Sequence, residues 1–197
     1  MTTVALPAGF MPRSCTLTLR ANQRVYASPF GGSEQVIDLL NDRWMLSCEL
    51  PPSRMASGAA IEAFIGAMRG QVNVCALYHF ARPAPRGTAR GTITTNGTTA
   101  QGASSVVLAG ISPTGGTLLA GDMLGIGSQL FMVAADVTAS GGAATVTITG
   151  RVRTAITTGT SVVWDKPTLL FRLLQTAGVT YNPRFASGAS FDFGEAI

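Results

Sequence analysis

Between Arg86 and Lys166 the chain contains no His, no Cys, no Glu and no Tyr. Thr, Gly, Ala, Val and Leu take their place, in runs such as Ala144-Thr145-Val146-Thr147-Ile148-Thr149. Small polar residues alternating with β-branched ones give a strand one wet face and one dry face. The same residues are poor material for acid/base, nucleophilic or metal chemistry, which needs titratable groups set close together. The middle of the chain therefore predicts a β-rich construction module. Function is expected from its surface or its assembly, not from catalysis.

Within this stretch, short strands are expected around 91–94, 105–108, 123–126, 129–137, 143–148 and 160–164. Gly121-Asp122 and Ser140-Gly141-Gly142 supply tight turns between them. Five or six such strands make a compact β-barrel or sandwich. Proline marks both borders, in Arg82-Pro83-Ala84-Pro85-Arg86-Gly87 and in Asp165-Lys166-Pro167.

The flanks differ in composition. Phe131 and Trp164 are the only aromatics of the middle, so the flanks carry the rest. A strand is expected from Ser14 to Tyr26, with Cys15, Leu17 and Leu19 on one face. Pro29-Phe30-Gly31-Gly32 reads as a turn, and 33–38 as further extended chain. Arg43 to Leu50 places Trp44, Leu46, Cys48 and Leu50 on one side, and Pro51-Pro52 ends that strand because proline donates no ladder bond. Met55, Ala59, Ile61, Phe64, Ile65 and Met68 then recur at helical steps. This predicts a helix through Arg69, capped by Ser53, ended by Gly70 and weakened by Gly58 and Gly66. Val72 to Phe80, Thr168 to Ala177 and Phe185 to Phe193 supply further strands. The expected organisation is a host β-domain from residues 1–85 and 167–197, with a β-module at 86–166 inserted.

Hydrophobic residues make up 46% of the chain and charged residues only 12%, about half the usual charged share of a soluble domain. Faces that water need not solvate meet other subunits. No run approaches the roughly 18 apolar residues of a membrane span, so none is expected. Met1-Thr2-Thr3-Val4 carries no basic region followed by an apolar one, so no secretory signal is expected. Of the fourteen basic residues Lys166 is the only lysine, leaving thirteen arginines dispersed from Arg13 to Arg184. Nucleic-acid binders cluster such charges among aromatics, whereas Arg is favoured at protein interfaces and Lys is depleted there. Subunit contact is therefore expected, without nucleic-acid sequence recognition. Arg20, Arg24, Arg43 and Arg69, all placed in the host domain, are the candidates to pair with acidic groups across subunits.

Chemistry finds little footing elsewhere. Cys15, Cys48 and Cys75 have no CxxC spacing and sit among apolar neighbours, as buried free thiols do. His79, the sole histidine, lies at a strand end and reads as structural. Asp38 and Asp42 read as turn residues, and Asp122 with Asp136 would at most make a weak calcium site. Gly115-Gly116 and Gly125-x-Gly127 lack the spacing, helix and lysine of a phosphate loop. No catalytic residue, no metal ligand and no cofactor is expected.

One resemblance covers nearly the whole chain. Asp42-Arg43-Trp44-Met45-Leu46-Ser47-Cys48-Glu49-Leu50-Pro51-Pro52 runs into the helix from Ala56 to Arg69, and a strand ends in Ala81-Arg82-Pro83-Ala84-Pro85-Arg86-Gly87. Leu119 to Gly127, followed by Leu130-Phe131-Met132-Val133, looks like a small β-module, and Ser190-Phe191-Asp192-Phe193-Gly194-Glu195-Ala196 like a closing strand. Together they resemble distal tail proteins of long-tailed, siphovirus-type bacteriophages. The resemblance implies a mainly β fold: a tail-tube-like β-sandwich with one flanking helix, plus the inserted small β-barrel or sandwich. It also implies a hexameric ring at the distal end of the virion tail, assembled in the host cytoplasm, that joins the tail tube protein to the hub proteins of the tip. A tail-tube or other tail-joining subunit would share the ring. A carbohydrate-binding module for host attachment is the alternative of a different class, and it would need exposed aromatics on the insertion. An enzyme is the weakest alternative.

Overall fold

The computed structural model describes residues 1–175 and 177–197. In chain order the strands begin with β1 (Thr3–Val4), β2 (Ser14–Arg20), β3 (Gln23–Ala27), β4 (Glu34–Asp38) and β5 (Arg43–Glu49). The helix α1 (Met55–Met68) follows, then β6 (Val74–Leu77). The middle holds β7 (Thr94–Thr95), β8 (Ser105–Ala109), β9 (Thr117–Leu118), β10 (Met123–Ile126) and β11 (Gln129–Val133). It continues with β12 (Val137–Thr138), β13 (Ala144–Thr149) and β14 (Val162–Val163). The chain closes with β15 (Leu169–Leu173), β16 (Tyr181–Asn182), β17 (Phe185–Ala186) and β18 (Ser190–Glu195). Strand accounts for 41% of the chain and helix for 7%, so the protein is mainly β with one helix, as its alternating patterns predict.

Two compact units divide it: Met1–Thr18, Trp44–Ala84 and Asp165–Ile197 form the first, Leu19–Arg43 and Pro85–Trp164 the second. Residues 19–43 thus group with the middle of the chain, whereas the sequence placed them in the flanking domain. The physical reason lies in polar contacts. Arg151 pairs with Asp38 at 2.9 Å, and the Arg153 guanidinium donates to the Asp42 carbonyl at 3.3 Å. Contacts between residues so far apart in sequence leave no local pattern.

The first unit is built on a six-stranded sheet in the order β1-β6-β15-β18-β5-β2. β1 runs parallel to β6, while β15 pairs antiparallel with β6 and β18, and β18 antiparallel with β5. Alternation sets its buried face: Trp44, Leu46 and Cys48 of β5, Leu169, Phe171 and Leu173 of β15, and Phe191 and Phe193 of β18 all point inward. Phe10 ties the helix to this face. Its ring centroid lies 5.9 Å from Phe64 of α1 and 5.4 Å from Phe191 of β18. Aromatic contacts at such separations add to the burial of their area.

Helix α1 buries Ile61, Phe64 and Met68. Its N-cap is Arg54 with no side-chain cap bond, so Ser53 does not cap it; the Ser53 hydroxyl instead lies 3.5 Å from the Arg54 carbonyl. Arg69, in the left-handed conformation, closes the C-terminus one residue before the expected Gly70. Gly58, unfavourable by helix propensity, has a packing reason: a Cβ there would stand 2.4 Å from the Ala186 Cβ of β17.

In the second unit, β14-β10-β11-β13-β8-β7 form a six-stranded sheet that nearly closes on itself. The closing contact is the Thr94–Ser161 bridge, flanked by bonds from Val162 N–H to the Ile93 carbonyl and from Thr95 N–H to the Thr160 carbonyl. β13 shows how the sequence dictates this. Ala144, Val146 and Ile148 point into the core while Thr145 and Thr147 face water. Ala, Val, Ile and Leu fill the interior, with Phe131 as its one buried ring among the described residues. The closing of the sheet leaves few open edges, which is how small barrels avoid pairing with strangers.

Candidate functional site

The strand expected from Ser14 to Tyr26 is two strands, β2 and β3. Among the described residues β3 and β4 pair only with each other, in register from Gln23–Asp38 through Val25–Val36 to Ala27–Glu34. The Pro29-Phe30-Gly31-Gly32 turn joins them. Every residue of both strands is exposed. Side chains opposite each other in an antiparallel pair share a face. Val25 and Val36 therefore lie on one face of the ribbon, and Tyr26 and Ile37 on the other.

Both faces thus carry apolar side chains exposed to water, among polar and charged ones. Val25, Tyr26 and Val36 keep 54%, 52% and 56% of their surface in water, and Phe30 at the tip keeps 99%. An isolated two-stranded hairpin is marginal in water. At its base it is held by the Arg151–Asp38 pair, by Asn22 N–H donating to the Asp42 carboxylate at 2.9 Å, and by Leu39 N–H donating to the Asn22 carbonyl at 2.8 Å. Among the described residues neither outer edge of the ribbon has a strand beside it. Unpaired edges with apolar side chains are a template for another chain.

The two edges differ in charge. β3 carries Arg24 and no acid, whereas β4 carries Glu34 and Asp38 and no base. Arg20, Arg24 and Arg43 belong to the second unit with this ribbon, and Arg69 alone of the four candidates to the first, correcting their common assignment to the host domain. All four are exposed, and among the described residues none of the four side chains makes an ion pair. The structure brings three of them into one segment and leaves the fourth elsewhere.

The ribbon did leave a trace in the sequence. Val25-Tyr26 and Val36-Ile37 are consecutive apolar pairs on either side of a Pro/Gly turn, and in a strand consecutive residues face opposite ways. A strand packed on one side only would alternate instead.

The other candidates are structural in their contacts. Asp122, buried, accepts backbone N–H groups of Arg86 at 2.8 Å, Gly87 at 3.2 Å and Leu119 at 2.8 Å. Asp136 accepts the N–H of Ala120 at 2.7 Å. Both carboxylates thus cap one turn. The two aromatics of the middle offer no open platform: Phe131 is buried, and Trp164 packs on the core under the Arg90 guanidinium, 5.1 Å from its centroid. The Trp164 Nε1–H donates to the Gly91 carbonyl at 2.9 Å.

His79 is buried, its Nε2 accepting from Arg82 Nε at 3.4 Å and its Nδ1 without a partner among the described residues. Burial first, then the Arg82 charge, holds its pKa below the ordinary imidazole value. The cysteines are less scattered than their spacing suggests. Cys15 and Cys48 sit on neighbouring strands with sulfurs 3.9 Å apart, while Cys75 lies buried in β6. Among the described residues no helix is long and apolar enough to cross a membrane. No protein-family model matches the chain, and no curated protein matches it.

Proposed function

We propose that the chain is a structural ring subunit of a phage tail, set near the distal end, where its ring joins the tail tube to the tip complex. The β3–β4 ribbon carries this reading. A hairpin with apolar side chains on both faces and two open edges is stabilised when neighbours cover it from both sides. Its charge selects the kind of neighbour. A β3 edge meeting a β4 edge sets Arg24 against an acidic strand, whereas β3 against β3 sets like against like. Only a head-to-tail arrangement makes the favourable contact at every junction, and head-to-tail contacts close into rings when the rotation fits. Six copies are the number that the resemblance to distal tail proteins implies.

A tail-tube subunit would use the same ribbon in the same way and is the second reading. The carbohydrate-binding alternative loses support from the burial of Phe131 and the covering of Trp164. The test is to image virions of the encoding phage with antibody against this chain, and to weigh the purified protein by native mass spectrometry at rising concentration. Label confined to the distal tail and a closed ring are expected. Label along the whole tube would favour the tube subunit. Label on the capsid, or none on the tail, would overturn the reading.

A further inference from the structure

We propose that Cys15 and Cys48 form a peroxide-reactive thiol pair that closes reversibly into an intrachain disulfide. Their side chains meet on the inward faces of β2 and β5, with the Cys48 thiol directed at the Cys15 sulfur across 3.9 Å. A disulfide requires sulfurs at about 2.0 Å on side chains that face each other. Neighbouring strands already supply the facing, and side-chain rotation supplies the approach.

The two thiols have different surroundings, which assigns their roles. Cys15 is half-buried and so within reach of a small oxidant, while Cys48 is 2% exposed. Cys15 accepts the Cys48 thiol, meets the backbones of Phe80 and Ala81, and feels the Arg82 charge. These favour its thiolate, the nucleophilic form. The same bond to Cys15, with burial, keeps Cys48 protonated. Cys75 is pushed up to about 12 by burial alone and packs as a small hydrophobe.

The chemistry balances with hydrogen peroxide as oxidant. The Cys15 thiolate takes one oxygen as the O–O bond breaks, and the hydroxide released gains a proton to become water. Cys15 is then a sulfenic acid, oxidised by two electrons as the peroxide is reduced by two. Cys48 attacks the Cys15 sulfur; the S–O bond breaks, the S–S bond forms, and the Cys48 proton leaves with the hydroxyl as a second water. A dithiol reductant reverses the closure. The pair lies within the first unit and stands apart from the assembly role.

The full chain, fully reduced, is exposed to hydrogen peroxide, alkylated, digested and mapped by mass spectrometry. The expected product is a Cys15–Cys48 linked peptide pair, lost on treatment with dithiothreitol, with Cys75 alkylated only after unfolding. Cys15→Ser removes the link and slows peroxide consumption by about tenfold or more, while Cys75→Ala changes neither. Cys15 linked to Cys15 of a second chain, Cys15 sulfinic acid without a link, or two unmodified thiols in the folded protein would each overturn the proposal. The wild-type map decides among these outcomes even where a variant fails to fold.

Discussion

The buried carboxylate of Glu195 accepts the backbone N–H of Trp44 at 2.9 Å, across 151 residues of chain. The β18–β5 ladder runs from Ser190–Glu49 to Gly194–Met45, so this bond adds a side-chain rung beyond its last backbone pair. It ties the end of the chain to the start of β5 and holds the tryptophan where it is 3% exposed.

Removing that acceptor is expected to be costly. Glu195→Ala should destabilise the fold by about 1–3 kcal/mol, the range for a buried donor that loses its partner. Glu195→Gln keeps an acceptor oxygen and should cost less. Urea unfolding of the two variants checks this; equal losses would show that the charge, not the bond, matters.

Charge exchange on the ribbon should control assembly. Arg24→Glu or Glu34→Arg alone is expected to weaken self-association, and the double variant to restore part of it. Exposed pairs contribute about 0.2–1 kcal/mol each and are screened by salt, so the effect should be repeated at every junction and shrink at high ionic strength. Sedimentation of all four proteins at two salt concentrations reads it. Equal association by the single variants would remove the charge argument for a head-to-tail ring.

The barrel should be sensitive at one corner. Gly110 has φ +78°, and a Cβ there would stand 2.3 Å from the Thr92 carbonyl oxygen. Gly110→Ala is expected to cost more than about 2 kcal/mol, from the left-handed backbone and the clash together. Thr145→Ala, on the outer face of β13, should change stability by less than about 0.5 kcal/mol. Thermal unfolding compares them.

Acid should weaken the fold through His79. Its pKa in the folded chain lies below the ordinary value of 6.5, so on acidification the unfolded chain takes up the proton first. Stability from this group is complete above that pH and is lost as pH falls from 6.5 toward the folded pKa. His79→Gln should flatten this part of the profile. A variant with the wild-type slope between pH 7 and 5 would assign the loss to other groups.

Alternating elements were legible from sequence because their period is local. Ala144 to Thr149 announces β13, and Trp44, Leu46 and Cys48 announce the buried face of β5. The helix was legible too, though Ser53 offered a cap that the backbone does not use. What stayed hidden depends on contacts between distant segments. Arg151 and Asp38 lie 113 residues apart, and their pairing is one of the contacts that join the β3–β4 hairpin to the middle of the chain. Cys15 and Cys48 come together only because β2 and β5 are neighbours, a fact of topology that cysteine spacing does not encode.

The two units also divide the chain's chemistry. Cys15, Cys48, Cys75 and His79 all belong to the first. The second holds no His and no Cys, hence no side-chain type whose reference pKa lies between about 5 and 8, and no thiol to oxidise. In the tail assembly proposed above, passage from a reducing cell into an oxidising, acidic medium would meet imidazole and thiol chemistry in the first unit only. The second unit, which carries the exposed β3–β4 ribbon, would answer the same passage with neither an imidazole nor a thiol.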